Sequence, residues 1–149
     1  GPFIGQNQYA YEFFHQGETT PNKTKTGFLP SLLRYKKVVT LVDNQTQSSA
    51  EVITATLKKY NVGITIGTTT RGWGTVEKVF GVDHQIDQSE KYSLFLVHSL
   101  TLRDDGQSIE GKGVEPLISI SDPNWESRLN EYYNSPELGQ AIRTLYNLK

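Results

Sequence analysis

The sequence predicts a single α/β domain, and three neighbouring segments predict it. Val38-Val39-Thr40-Leu41-Val42 is a short, β-branched apolar run of the kind buried on both faces in a parallel sheet. Ser48 to Tyr60 places Ala50, Ile53, Leu57 and Tyr60 on one face of a helix. Gly63-Ile64-Thr65-Ile66-Gly67 reads as the next strand. Strand, helix and strand within about thirty residues make a βαβ unit, with a right-handed crossover and parallel strands. A length of 149 residues suits one domain. Two Trp, eight Tyr and six Phe can fill its core.

The other elements follow in chain order. From Phe3 to His15, Tyr9 with Phe13 and Ala10 with Phe14 recur at helical spacing, which predicts a helix stopped by Gly17. Glu18 to Gly27 is polar and without period, as a surface loop would be. Asp43 to Gln47 is a polar turn, and Gly67 to Gly74 is a loop carrying three glycines. Thr75 to Phe80 and Tyr92 to Leu102 read as longer strands joined by the polar segment Gly81 to Lys91. Asp105-Gly106 marks a turn, and Leu117 to Ile120 a last short strand. Two helices close the chain. Asp122-Pro123 and Ser135-Pro136 each set a capping side chain before Pro at the first helical position. Trp125, Leu129 and Tyr132 line the first of these helices; Leu138, Ala141, Ile142 and Leu145 line the second.

Composition removes several function classes. Fifteen basic against sixteen acidic residues leave a net charge of −1, without the basic excess of a nucleic-acid binder. The pairs Lys23 and Lys25, Lys36-Lys37 and Lys58-Lys59 are too small to form a basic stripe. No apolar run approaches the roughly 20 residues of a membrane-spanning helix. The absence of Cys excludes disulfides, thiolate metal centres and cysteine nucleophiles. No cofactor is expected. There is also no Met, which suggests a domain excised from a longer protein, with Gly1-Pro2 open to reading as an expression scar.

The segment with chemical content runs from Leu41 to Val76. Ser48 stands where a buried strand feeds a helix, at the edge where α/β folds gather ligands. A hydroxyl there is placed as a nucleophile, and the helix N-terminus favours a developing oxyanion. Ser48-Ser49-Ala50-Glu51 is also a capping box, with Ser at the cap and Glu three residues on. Local pattern alone leaves both readings open.

The same segment resembles the carboxy-terminal processing, or tail-specific, proteases. In that family a Val-rich strand, a Ser/Ala-rich turn and a Glu opening a helix precede a strand and Gly-x-x-Thr-x-Gly-Lys-Gly-Thr/Ser-Val-Gln. Here these read Val38 to Val42, Gln47-Ser48-Ser49-Ala50-Glu51, and Gly67-Thr68-Thr69-Thr70-Arg71-Gly72-Trp73-Gly74-Thr75-Val76-Glu77. Gly106-Gln107-Ser108-Ile109-Glu110-Gly111-Lys112-Gly113-Val114-Glu115-Pro116 matches a further family stretch. Asp122 onward matches the helical end, and Phe3 to Phe14 is similar to the helix after the family's Pro-Gly-Gly turn.

The resemblance implies serine peptidases with a Ser–Lys dyad on a crotonase/Clp-protease-like core. It implies a polypeptide substrate or ligand and a cell-envelope, periplasmic or extracellular location. It leaves a homo-oligomer open. It makes residues 1–149 the C-terminal part of a catalytic domain, cut just after the oxyanion turn; no segment resembles the family's PDZ domain. Ser48 takes the nucleophile's place. The general-base lysine's place holds Trp73, whose indole nitrogen only donates. Arg71 stays protonated and is no substitute. The Gln that orients the lysine is replaced by Glu77.

Three explanations stand side by side. The cleft survives as a peptide-binding surface in a degenerate protease, an inactive peptide-binding or scaffolding module. Alternatively, Glu77 or one of His15, His84 and His98 supplies the base, as related branches use a Ser–His arrangement. Or the base comes from another chain or segment. The first of these goes with little or no peptidase activity.

Overall fold

The computed structural model describes residues 1–148, and its first regular element is a hairpin. β1 (Tyr9–His15) pairs antiparallel with β2 (Glu18–Lys23). The joining residues Gln16 and Gly17 both have positive φ, 48° and 90°. That is the demand of a two-residue type I′ turn. The predicted helix over Phe3 to His15 is therefore wrong, as is the predicted loop over the β2 residues. A four-residue aromatic spacing satisfies a period of two as well as one of 3.6. Tyr11 and Phe13 share one face of the strand, their rings edge to face at 5.1 Å. Pro21 is tolerated because β2 is an edge strand.

After a one-turn helix, α1 (Pro30–Leu33), the βαβ unit appears as its apolar pattern requires. β3 (Val39–Val42) and β4 (Ile64–Gly67) are parallel, with Val39 opposite Ile64 and Val42 opposite Gly67. α2 (Ser49–Lys59) is the crossover. All four β4 residues are buried. β3 departs from expectation: it is an edge strand of its sheet, and Leu41 is exposed. β5 (Thr75–Gly81) and β6 (Ser93–Leu102) form a long hairpin. β6 also pairs with β1, giving a four-stranded antiparallel sheet in the order β2-β1-β6-β5. β7 (Ile118–Ser119) returns parallel to β4, completing a second sheet in the order β3-β4-β7.

α3 (Trp125–Tyr133) and α4 (Pro136–Tyr146) cover that second sheet. Ile64, Ile66 and Ile118 meet Trp125, Leu129 and Ile142 in one buried cluster. Tyr146 hydroxyl ties helix to sheet by donating to Val42 C=O at 2.8 Å. The start of α4 is as predicted, with Ser135 at the cap and Pro136 following. The start of α3 is not: Asn124 is its N-cap. Asp122 lies before it and accepts from Asn124 N–H, 2.9 Å, in a turn.

Two of the three histidines meet across the β1–β6 pairing. The His15 and His98 rings stack at 3.9 Å, 8° from parallel, and His15 Nδ1 pairs with His98 C=O. Desolvation, then the neighbouring His15 and Lys78, hold His98 below the usual histidine range. A base whose folded pKa is depressed costs stability once the unfolded chain can take the proton. Thermal melting should therefore show stability falling as pH drops through about 6.5 towards the lowered folded value. His98→Gln should flatten that part of the profile; an unchanged slope would show that the stack carries no such linkage.

Candidate active site

Ser48 sits between β3 and α2 with φ 55° and ψ −127°. Non-glycine residues seldom adopt this conformation, and it costs about 1–3 kcal/mol unless the surroundings impose it. A strained strand-to-helix turn of this kind lifts a side chain clear of the backbone. Ser48 and Glu51 form the capping box the sequence predicts, with Ser48 N–H donating to Glu51 Oε2 at 2.9 Å. Ser48 also lines a pocket.

What imposes the turn is Glu51, fully buried on the first turn of α2. Its Oε1 accepts from the Thr70 hydroxyl and from Gly72 N–H at 2.7 Å. Its Oε2 accepts from Ser48 N–H and from Trp73 N–H at 2.8 Å. One carboxylate thus joins the serine turn to the glycine loop. Glu110 continues the grip, accepting Gly74 N–H at 2.7 Å. Three consecutive amides, from residues 72 to 74, end on carboxylate oxygens. The loop also lies against the 109–113 turn so closely that a Cβ at Gly74 would fall 2.4 Å from Glu110 N. Gly72 has φ 81°, and its carbonyl accepts from Gly111 N–H at 2.9 Å. Glycine at these two positions answers to close packing and to backbone conformation respectively.

The backbone of Trp73 is held while its side chain stays 44% exposed, so it is a cleft residue and not part of the core. The pocket, about 420 Å³, is lined by Ser48, Trp73, Thr75 and Glu77, with Tyr11 and Phe13 of β1 opposite. Inside it runs a short relay. Trp73 Nε1 donates to Thr75 Oγ1 at 2.9 Å, and Thr75 Oγ1 donates to Glu77 Oε1 at 2.6 Å. The Arg71 guanidinium stands 5.6 Å from the indole centroid. The Thr75 hydroxyl, helped by the indole, holds the Glu77 carboxyl below its ordinary range. A carboxylate so stabilised is a poor proton acceptor near neutral pH.

Ser48, Trp73 and Glu77, chosen from sequence, therefore share one pocket. The histidines do not join them: His15 and His98 pair with each other, and none of the three lines the pocket. Gly1-Pro2 borders a neighbouring hollow instead. Pro2 C=O accepts Leu29 N–H at 2.9 Å, and the segment expected as a helix is turns over residues 2–7 followed by β1. Sequence reading missed Tyr11 and Phe13 because it made their strand a helix. It also saw only the local half of Glu51; Glu110 had no local signal. Among the described residues no group of three His, Asp or Glu side chains is placed to hold a metal ion.

Comparison with known proteins bears on this geometry. The family model described as Peptidase family S41 matches residues 3–120. A "Probable CtpA-like serine protease" of Staphylococcus epidermidis is 29% identical over 113 residues. That alignment takes in 73% of this chain and 22% of the relative, so the chain spans about a fifth of the relative's length. A photosystem II D1 C-terminal processing protease has the same fold over 80% of this chain and 28% of its own, with TM-score 0.66 and 18% identity. A lipoprotein from Streptococcus agalactiae covers 84% of this chain and 44% of its own, with TM-score 0.59 and 19% identity.

Proposed function

Because the chain belongs to peptidase family S41, we propose that it carries a serine-peptidase-type site that binds polypeptide and hydrolyses it little or not at all. In this reading residues 1–149 are the C-terminal part of a catalytic domain with a crotonase/Clp-like core, working in the cell envelope or outside the cell. Ser48 holds the nucleophile's place. Its strained backbone, at the mouth of the pocket it shares with Trp73, is the observation that carries the reading.

The chemistry follows from what surrounds the hydroxyl. Attack on a peptide carbonyl would form a bond to Ser48 Oγ and put negative charge on the carbonyl oxygen. Ala50 N–H donates to Gln47 C=O at 3.2 Å and Glu51 N–H to Ser48 C=O at 2.9 Å, which leaves Ser49 N–H, the first amide of α2, as the helix-start donor for that charge. The hydroxyl proton must leave at the same time. Trp73 offers only a donor, Arg71 is permanently protonated, and Glu77 is bound to Thr75. Binding is supported and proton removal is not.

A fluorophosphonate probe separates the two. The wild-type chain should label no faster than Ser48→Ala. Rapid labelling of wild type that Ser48→Ala abolishes would mean a base is in place, and would overturn the low-activity reading.

A further inference from the structure

Below the Ser48 pocket lies a second hollow, also about 420 Å³. The two adjoin, since Tyr11, Val52 and Ile53 line both. The second is walled by Ile4, Leu32 and Leu57, with Lys23 at its rim as its charged lining residue. Together they form a trough between α2 and β1, following α2 turn by turn from Ser48 past Val52 to Leu57.

We infer that this trough is an extended-polypeptide subsite. It takes a ligand with two large apolar side chains about four residues apart, one beside Ser48 and one against Ile4, Leu32 and Leu57. The inference rests on the reading of the Ser48 pocket as a polypeptide cleft, and it adds where the second anchor goes. The spacing comes from geometry. Nine helical residues at about 1.5 Å each span about 13 Å. An extended chain at about 3.3 Å per residue covers that in four residues. Side chains an even number apart lie on the same face of an extended chain, so both anchors point to α2. The apolar walls select an aliphatic or aromatic side chain, and Lys23 disfavours a basic one.

The protein carries its own reporter. Of its two tryptophans, Trp73 faces the upper pocket and Trp125 is buried in the core. Capped Gly/Ser nonapeptides carrying one leucine, two adjacent leucines, or two leucines four apart are titrated while Trp73 fluorescence is followed. The four-apart peptide should bind about tenfold or more tightly than the other two, the worth of burying one more leucine. Ile4→Asp and Leu32→Asp should each erase that advantage. These residues lie on separate elements, so a folding failure in one, seen by thermal melting, leaves the other to decide. If all three peptides bind alike, or neither variant changes the ratio, the second anchor is wrong and the cleft reading stands. If no peptide perturbs Trp73, both are overturned.

Discussion

Trp73→Lys is expected to turn this chain into a measurable peptidase, with cleavage of an unfolded, dye-labelled protein rising by about 10²–10⁴ over wild type. The expectation comes from how residue 73 is held. Its amide is fixed by Glu51, and its neighbours by Glu51 and Glu110, so the backbone position is independent of the indole. A lysine there would enter the pocket it shares with Ser48, Tyr11 and Phe13, where partial desolvation lowers an ammonium's pKa towards the range useful for a general base and the Glu77 carboxylate works against that shift. The substitution gives up one hydrogen bond, from the indole to Thr75. The new activity should vanish in Trp73→Lys combined with Ser48→Ala. A folded Trp73→Lys protein without cleavage would show that the deficit lies beyond the base, in oxyanion donors or substrate placement.

Glu51→Ala should cost about 3–5 kcal/mol in urea unfolding. Its four donors, the amides of Ser48, Gly72 and Trp73 and the Thr70 hydroxyl, would lose their acceptor, the Gly72 and Thr70 groups in a buried site and the other two in a partly buried one. Glu51→Gln should recover little of this loss. Each carboxylate oxygen receives a backbone N–H, so either orientation of the amide sets an NH2 group against a backbone donor. A cost under about 1 kcal/mol for Glu51→Gln would mean that the loop does not depend on the carboxylate. The alanine variant should also release the strained Ser48 turn, since the contact that holds its amide is gone.

How much of this could be read from residues varied with the range of the interaction. The βαβ unit was legible because Val38 to Val42 and Ile64 to Ile66 are short β-branched runs and Ala50, Ile53 and Leu57 recur at helical spacing, although the face α2 buries carries Glu51, Thr54 and Thr56 and leaves Ile53 exposed. The first strand was not, because Tyr9 with Phe13 fits two periods, and one of its two partners, β6, lies more than eighty residues away in sequence. Likewise β3 looked like a doubly buried strand, yet nothing in Val39 to Val42 says that it would end at a sheet edge. Ser48, Trp73 and Glu77 were found through motif spacing, and they do converge on one pocket. Glu51 was visible only as a capping residue. Its other three donors come from positions 70 to 73, which only the folded chain brings to it. The pairing of His15 with His98 was equally hidden, since the sequence puts His15 at the end of a helix and His98 within a strand, with nothing to bring the two together.

The carboxylate clasp on the glycine loop also says something about when the site comes into being. The β1–β2 hairpin closes over two residues, an inexpensive and local event. The clasp instead joins residues 21, 22, 36 and 44 positions apart, from α2 to the glycine loop to the 109–114 turn. Contacts of that range form late. Until they do, nothing holds Ser48 in its costly conformation, and its hydroxyl is that of any serine on an unfolded chain. A newly made or partly unfolded molecule in which the clasp is open therefore presents neither nucleophile nor cleft.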